Sequence, residues 1–296
     1  MLKKALLVGI NDYTKFPLRG CINDIMDMRE ALTEFFSYKA EDIKILQNRE
    51  ATKQGIIDGL RWLAEGGAGP AVRVFHYAGH GDFELDIDGD EKDKTDEALA
   101  PYDYLTNGLL LDDELRKLYE TFPPNSNLTL VMDSCFSGTV QRDLENDIVY
   151  RFLPAPQEKI DAVIEAQEEA EKNFLRQELR DVRNAPDDMF NQRLERALDK
   201  YKKQFLFGGD SDVRQGNVLL AACRSDQRAA DASIENKYHG AFTFYLVKVL
   251  RKYRGQISHD ALIKAIGDEM KRFKQVPQLE CDAGKGQVNL FSAFNA

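Results

Sequence analysis

The stretch from Ala71 to Gly81 reads AVRVFHYAGHG, an apolar run that ends in glycines and a histidine. The stretch from Leu128 to Gly138 has the same design and reads LTLVMDSCFSG. Short apolar runs bounded by turn residues are typical of buried strands. Open α/β sheets place their binding sites at the carboxyl ends of the strands. The sequence therefore predicts that His80 and Cys135 follow two strands at the functional edge of one sheet.

Strand-like and helix-like runs alternate along most of the chain. The predicted strands are Ala5–Ile10, Ile43–Leu46, Ala71–Tyr77, Leu128–Met132 and Val218–Ala222. Apolar residues recur at helical spacing between Ile22 and Phe36, and further helices are predicted at Thr52–Leu63, Asp112–Glu120, Gly240–Tyr253 and Ser258–Phe273. A short strand is predicted near Val288–Leu290. This alternation is typical of an α/β fold with a mostly parallel sheet.

A cysteine and a histidine in this arrangement suit nucleophilic catalysis. The thiolate attacks a carbonyl, and a free cysteine with a pKa of about 8.5 needs a base beside it. His80 is the best candidate for the base of Cys135. The alternative is a buried structural thiol and a core histidine, since buried free cysteine is common. His76 is interpreted as a strand residue, and His239 and His259 as surface or core histidines.

Composition and charge exclude several classes of protein. The chain has 296 residues, 43% of them hydrophobic, and a formal net charge of −10. No nucleic-acid partner is expected, because phosphate binding needs an excess of clustered Lys and Arg. No apolar run approaches a membrane span, and the run after Met1 is predicted to be a first strand rather than a signal peptide. The four cysteines contain no CxxC pair, which favours a reducing cytoplasm over a disulfide framework. We expect a cytoplasmic monomer without a membrane partner.

The HYAGHG motif at His76–Gly81, taken with DSCFSG at Asp133–Gly138, resembles the paired motifs of metacaspases and orthocaspases, which are caspase-like cysteine peptidases. LLAACRSDQ at Leu219–Gln227 is similar to the strand and loop that border their substrate cleft. The resemblance implies a caspase-like three-layer sandwich with helices on both faces of the sheet. It also implies that Cys135 and His80 act through a thioester, with the backbone N–H groups of Gly81 and Cys135 as the oxyanion hole.

The resemblance also divides the chain. Residues 1–143 would form a large caspase-like subunit and residues 215–296 a small one that completes the sheet and cleft. Between them, 144–214 is dense in charged residues and predicts two helices joined by a turn. In caspase-like enzymes this junction is cut or binds a partner. We expect self-processing after a basic residue between Arg142 and Arg214, and the alternative is an uncut, solvated helical hairpin.

The stretch GCIND at Gly20–Asp24 predicts the substrate pocket. Cys21 and Asp24 are three residues apart at a predicted helix start, so they share one face. Metacaspases carry the same stretch, and there its Cys and Asp build the S1 pocket with the Asp two residues before the nucleophile, here Asp133. The resemblance implies protein substrates with Arg or Lys at the cleavage point, because paired carboxylates need a cation. Alternatively, Asp24 is an ordinary first-turn acid. Ala78, where relatives often have serine, leaves the choice between Arg and Lys open.

Acidic residues are concentrated between Asp82 and Glu97, where they could hold calcium. The segment fails as an EF-hand, because position twelve is Thr95. Calcium-dependent metacaspases use an Asp after the acidic loop, two adjacent Asp residues ahead of a helix, and an Asp beyond the nucleophile. By resemblance the calcium ligands here are Asp96, Asp112, Asp113 and Asp143, the last shifted by one position. The alternative is that the acidic pair merely starts a helix.

Two functions from different classes are compatible with these patterns. One is a calcium-stimulated endopeptidase that cleaves after Arg or Lys. The other is a non-catalytic caspase-like scaffold whose helical insert binds a partner. The presence of both His80 and Cys135 favours the peptidase, because a scaffold needs neither. A peptidase of the same clan that prefers Asn or Asp is a further alternative, which the acidic pocket disfavours.

Overall fold

The computed structural model describes residues 1–66, 69–85, 95–123, 126–135, 148–184, 186, 189–201, 217–224, 227–282 and 285–291. Contacts divide the chain into two compact units, one of Met1–Asp82, Ala98–Leu153 and Asp212–Ala296, the other of Phe83–Glu97 and Pro154–Ser211. Several sequence predictions fall outside the described residues: the calcium ligand Asp143, the motif residues Phe136–Gly138, and the candidate cleavage residues Arg142 and Arg214.

Twelve strands and eight α-helices are found in the described residues. The strands are β1 (Leu2–Gly9), β2 (Ile43–Gln47), β3 (Ala71–Ala78), β4 (Gly81–Leu85), β5 (Thr95–Leu99), β6 (Leu110–Leu111), β7 (Ser126–Asp133), β8 (Ile148–Tyr150), β9 (Val218–Ala221), β10 (Ala230–Ile234), β11 (Lys237–Gly240) and β12 (Gln278–Cys281). The helices are α1 (Cys21–Phe36), α2 (Lys53–Ala64), α3 (Tyr104–Asn107), α4 (Asp112–Tyr119), α5 (Gln157–Arg183), α6 (Phe190–Tyr201), α7 (Ala241–Tyr253) and α8 (His259–Glu269).

The first unit is built on a six-stranded sheet with the order β12-β9-β7-β3-β1-β2. All neighbours are parallel except β12, which runs antiparallel to β9. β3 is buried along its whole length, because helices cover both faces of a parallel sheet. α1 packs on α7 and α7 on α8, while α2 packs beside α4. The fold is the predicted caspase-like three-layer α/β sandwich.

The register between β3 and β7 places the HYAGHG motif beside the start of the DSCFSG motif. In the parallel pair of β3 and β7, Ala78 lies opposite Asp133. His80 and Cys135 each follow that pair by two residues, so both emerge at the same point of the carboxyl edge. β9 flanks β7 on the other side, with Met132 opposite Ala221. Three consecutive strands of the sheet therefore deliver residues to one place.

A small antiparallel sheet with the order β11-β10-β8 supplies the rest of this edge. β10 and β11 form a hairpin whose turn residues Glu235 and Asn236 have positive φ angles of 52° and 68°. β8 adds to the other side of β10, with Tyr150 opposite Ala230. The hairpin ends at Gly240, directly before α7, so it positions the N-terminus of that helix.

Most sequence-predicted elements are confirmed with shifts of one to three residues at their ends. The short strand predicted near Val288–Leu290 is wrong. Lys285–Gln287 form a 3-10 turn, and Asn289 makes only an isolated bridge to Ser258. The last strand of the described residues is β12 instead, whose mixed polar and apolar residues at the sheet edge give a weak pattern.

The second unit contains the two charged helices predicted for the middle of the chain, α5 and α6. α5 ends at Arg183 with Asn184 as its C-cap, where the turn is predicted. The two helices pack on each other, and Val182 on α5 and Ala197 on α6 are buried. Lys200 Nζ on α6 lies 2.6 Å from Glu178 Oε1 on α5. No helix among the described residues has both the length and the apolarity needed to cross a bilayer.

Candidate active site

His80 follows β3 as a buried, neutral imidazole. Its Nε2 lies 2.6 Å from the carbonyl oxygen of Phe16, which a neutral ring satisfies by donating its Nε2–H. The Tyr13 hydroxyl accepts the His80 backbone N–H at 3.0 Å, and the two rings pack at a centroid distance of 4.7 Å. Burial lowers the pKa of His80 to about 4, so the ring is uncharged at pH 7. Its Nδ1 has no hydrogen-bond partner among the described residues and carries the basic lone pair.

Cys135 follows β7 and is 1% exposed. Its Sγ accepts the backbone N–H of Ala229 and lies 3.9 Å from the Sγ of Cys223. An N–H donor at the sulfur stabilises the negative charge of a thiolate. The site therefore supports a nucleophilic sulfur at the same edge as the neutral imidazole of His80.

The carbonyl oxygen of Arg151 occupies the predicted oxyanion hole. The backbone N–H of Gly81 donates to it at 3.0 Å and the backbone N–H of Cys135 at 3.1 Å. Two preorganised N–H donors on one carbonyl oxygen form the geometry that stabilises an oxyanion in acyl transfer. The structure thus brings both donors, one from each motif, onto a single oxygen.

The Arg151 guanidinium is fully buried among three carboxylates. Its Nη2 lies 2.5 Å from Asp24 Oδ2 and 3.4 Å from Asp231 Oδ2, and its Nη1 lies 3.2 Å from Asp133 Oδ2. Burial disfavours the cation, but the carboxylates outweigh it and hold the pKa of Arg151 well above its usual range. The structure places Asp24 and Asp133 in one pocket, where they bind a planar cation.

The start of α7 supports two of these carboxylates. Asp24 accepts the backbone N–H of Gly240 at 3.0 Å. Asp133 accepts the backbone N–H of Thr243 at 2.9 Å and its hydroxyl at 2.7 Å. Unpaired N–H groups and the dipole at a helix N-terminus favour negative charge. The helix therefore holds both acids in position on the pocket floor.

Asp231, on β10, is the third carboxylate of the pocket. Its Oδ2 accepts the backbone N–H of Gly20 at 2.9 Å. Burial raises the pKa of Asp231 and of Asp133, although Arg151 opposes the rise in both. Three buried carboxylates around one cation repel one another, so the pocket depends on its guanidinium and its N–H donors.

Cys21 lies in the wall of this pocket, at the start of α1. It is fully buried beside Asp24, and its backbone N–H donates to Asn11 Oδ1 at 2.9 Å. Burial raises the pKa of the Cys21 thiol well above its usual value. Cys21 is therefore a neutral part of the wall at pH 7, whereas the carboxylates supply the charge.

The residues around Arg151 cross the site as an extended peptide. β8 pairs with β10, and the Arg151 backbone N–H continues the pairing by donating to the Ala229 carbonyl at 3.0 Å. On the far side, the Leu153 N–H donates to the Gly81 carbonyl at 3.1 Å. Peptides that add a strand to an exposed sheet edge bind in this way. A segment of the chain itself is therefore held between β10 and Gly81 by backbone hydrogen bonds.

Arg151, Asp231, Phe16 and His239 contribute to the site but stand in no motif that predicts it. His239, interpreted from the sequence as a surface or core histidine, is buried and places its Nδ1 3.3 Å from Asp24 Oδ1. Phe16 has a φ of 57°, which a residue with a side chain rarely adopts. Such strain at a functional site holds a group in a required direction, here the carbonyl that binds His80.

Among the predicted calcium ligands, Asp112 and Asp113 begin α4, and Asp143 lies outside the described residues. Asp113 pairs with Arg116 and lies 3.4 Å from Lys117 Nζ, and Asp112 Oδ1 accepts the Asp113 N–H at 2.9 Å. Asp96 lies on β5, in the second unit. Within the described ranges, no three His, Cys, Asp or Glu side chains cluster closely enough to hold a metal ion.

The chain is similar to known proteins in sequence and in fold. A model of the metacaspase peptidase C14 domain matches residues 3–144. Metacaspase-1 of Meyerozyma guilliermondii is 31% identical over 290 residues, which cover 94% of this chain and 68% of that protein. Metacaspase-1 of Schizosaccharomyces pombe is 32% identical over 294 residues, which cover 94% and 67%. The crystal structure of a Geobacter sulfurreducens protein matches over 100% of both chains with a TM-score of 0.65 at 22% identity, which shows similarity of fold alone.

Proposed function

The chain belongs to the metacaspases, a family of caspase-like cysteine peptidases, and from this premise we propose that it cleaves proteins after arginine with Cys135 as nucleophile and His80 as base. The observation that carries the proposal is Arg151. Its guanidinium contacts three carboxylates while its carbonyl oxygen accepts the N–H groups of Gly81 and Cys135. A substrate arginine in the same position would present its carbonyl carbon to the nucleophile.

The proposed reaction begins when His80 Nδ1 accepts the thiol proton and Cys135 Sγ attacks the carbonyl carbon. The oxyanion that forms is stabilised by the N–H groups of Gly81 and Cys135. The carbon–nitrogen bond then breaks, and His80 returns its proton to the leaving amine. Water, deprotonated by His80, hydrolyses the remaining thioester and regenerates the thiol. A ring that is neutral at pH 7, with Nε2 bound to Phe16, has Nδ1 available for each proton transfer.

The pocket favours arginine over lysine at the cleavage point. Two different nitrogens of Arg151 contact the acids, Nη2 binding Asp24 and Asp231 and Nη1 binding Asp133. A lysine ends in a single nitrogen and has no planar fork. Loss of one hydrogen bond to a charged group costs about 1.5–3 kcal/mol, which corresponds to roughly 10- to 100-fold in kcat/KM.

Peptides that differ only at the cleavage residue test this proposal on purified protein after incubation. We expect turnover of the Arg peptide, a slower rate with Lys, and none with Asp or Asn. Cys135→Ala is the control for contaminating peptidases. Lack of turnover with every peptide would instead favour the non-catalytic scaffold.

We also propose that the first substrate is the chain itself, cut between Arg151 and Phe152. Arg151 already occupies the pocket, and the segment is held on both sides, through Ala229 before the bond and through Gly81 after it. Added substrates must compete for the same cleft, so the uncut segment acts as an inhibitor. Cutting the Arg151–Phe152 bond would separate Arg151 from Phe152 and Leu153, so the residues after the bond would no longer be tied to the arginine in the pocket.

Gly240→Ala is expected to block the pocket. A Cβ at Gly240 would collide first with Asp133 Oδ2, and it would lie 2.5 Å from Arg151 Nη1 and 2.6 Å from its Cζ. The φ and ψ of this residue, −66° and 128°, suit alanine, so the variant tests space rather than backbone strain. We expect KM for the Arg peptide to rise at least about 10-fold, since a displaced guanidinium loses charge-assisted contacts.

Gly267→Ala in α8 is the matched control for this substitution, because its Cβ would meet Pro277 only at ordinary contact distance, 3.8 Å. Equal KM values for the Arg peptide in Gly240→Ala and Gly267→Ala would contradict the placement of the pocket.

We propose, finally, that calcium stimulates the peptidase. The support is the run of acids and the like charge at the start of α4: burial and the charge of Asp113 raise the pKa of Asp112. We expect activity to rise with calcium after chelator treatment and magnesium to substitute poorly, because magnesium demands a tight octahedron.

The test of this proposal is Asp112→Ala combined with Asp113→Ala, assayed across a calcium titration. An unchanged calcium response in this double variant, or full wild-type activity in chelator, would show that the two acids only begin a helix.

A further inference from the structure

A second thiol lies beside the nucleophile. The Sγ of Cys223 is 3.9 Å from the Sγ of Cys135. The mechanism proposed above makes no use of Cys223. We infer that these two cysteines form a reversible disulfide under hydrogen peroxide, which protects the nucleophile and switches off the peptidase.

The fold fixes this proximity. Cys135 follows β7 and Cys223 follows β9, and these strands are parallel neighbours with Met132 opposite Ala221. The Ala222 N–H continues the pairing by donating to the Met132 carbonyl at 2.9 Å. Both cysteines therefore follow neighbouring strands by two residues, at the same edge of the sheet. The sulfurs are 3.9 Å apart, and side-chain rotation is the motion that would bring them to the S–S bond length of about 2 Å.

The two thiols have different surroundings. Cys135 Sγ accepts the N–H of Ala229 and also lies 3.9 Å from the Ala229 carbonyl oxygen. Cys223 Sγ lies 3.6 Å from the carbonyl oxygen of Gln227. Because the proposed mechanism makes Cys135 the nucleophile that gives up its proton, we expect Cys135 to be oxidised first and Cys223 to resolve the product.

The chemistry balances in two steps. The Cys135 thiolate attacks one oxygen of hydrogen peroxide and releases water after one proton is taken up, which leaves a sulfenic acid. The Cys223 sulfur then attacks the Cys135 sulfur, and hydroxide leaves and takes the Cys223 proton as a second water. The two cysteines are oxidised by two electrons, and one peroxide is reduced to two waters. A dithiol reductant reverses the bond by exchange.

The segment around Arg151 controls access to this pair. Cys135 is 1% exposed, and its N–H binds the Arg151 carbonyl, so the segment covers the nucleophile in the uncut chain. We expect peroxide to act after self-processing. The inference concerns regulation of the site assigned above, but the disulfide itself can be measured without any peptidase activity.

The experiment treats incubated wild-type protein with hydrogen peroxide, blocks remaining thiols, and digests without reductant. Mass spectrometry should find one peptide pair that joins Cys135 to Cys223, two hydrogens lighter than the reduced pair. Activity on the Arg peptide should fall at least 10-fold and return fully with dithiothreitol. A linked pair in a protein that turns over no peptide would support the disulfide and refute the peptidase separately.

Cys223→Ser tests the protective role. Measured against its own untreated activity, this variant should lose turnover after peroxide and fail to regain it with dithiothreitol, because its Cys135 should carry sulfinic acid. Cys281→Ser, which changes a thiol elsewhere, should recover as wild type does. Absence of the linked pair in the wild type, or full recovery in Cys223→Ser, would overturn the inference. If Cys223→Ser does not fold, the presence or absence of the linked Cys135–Cys223 peptides in the wild type still decides whether the disulfide forms.

Discussion

Cys135→Ala is expected to lower peptide turnover by about 10,000-fold or more and to leave the Arg151–Phe152 bond intact. Alanine has no nucleophile, and attack on the carbonyl held by Gly81 and Cys135 needs the sulfur. His80→Ala should have an effect of similar size, because it removes the Nδ1 atom that takes the thiol proton. Rates with the Arg peptide and thermal unfolding together separate lost chemistry from lost fold.

The matched control for Cys135→Ala is Cys281→Ala, which removes a half-buried thiol from β12. It should turn over the Arg peptide at the wild-type rate. Turnover of the Arg peptide by Cys135→Ala, clearly above its rate of hydrolysis without protein, would show that another residue is the nucleophile.

Arg151→Met is expected to lower the free energy of unfolding by about 3–5 kcal/mol, because removing one partner of a buried ion pair leaves the other partner uncompensated. The comparison is made in the Cys135→Ala background, where the chain stays whole. Methionine keeps most of the side-chain volume, so the loss reports charge. Urea denaturation of the two proteins gives the difference.

The loss should depend on pH in a definite direction. Without the guanidinium, the folded-state pKa of Asp133 and of Asp231 lies further above its unfolded value, since burial already raises both. The folded variant therefore binds more protons than its unfolded chain and gains stability as pH falls through those raised values. The deficit should be larger at pH 8 than at pH 5. His80 titrates in both proteins and largely cancels in the comparison.

Arg176→Met is the control, because Arg176 is exposed on α5 and exposed charges contribute little to stability. A change below about 1 kcal/mol for Arg151→Met at pH 8, equal to that of Arg176→Met, would contradict the buried cluster.

Motifs predicted the chemistry of the site better than its substrate-binding parts. His80, Cys135, Asp24 and Asp133 stand in recognisable stretches next to strongly apolar strands, and the parallel sheet follows from the same runs. Arg151 directly follows a short strand of three residues, beyond a stretch without apolar periodicity. Its role depends on pairing with β10, which is distant in sequence.

Asp231 was missed for a related reason. β10 reads Ala-Asp-Ala-Ser-Ile and β11 reads Lys-Tyr-His-Gly, too short and too polar for a clear strand pattern. Their turn uses Glu235 and Asn236 at positive φ, although hairpin turns of this kind usually contain glycine. Pairing of β10 with β8 and β11 overrides the weak local preference for strand structure. This pairing places Asp231, the third acid of the pocket, in the site.

The most direct test of the central claim is the site of self-cleavage. Wild-type protein is incubated at several dilutions, denatured, and analysed by intact mass and N-terminal sequencing. Because Arg151 lies in the cleft of its own chain, we expect a single first cut, one fragment ending at Arg151 and the other beginning at Phe152, at a rate independent of protein concentration. A first cut after a different residue between Arg142 and Arg214, with the Arg151–Phe152 bond intact while the Arg peptide is turned over, would contradict it.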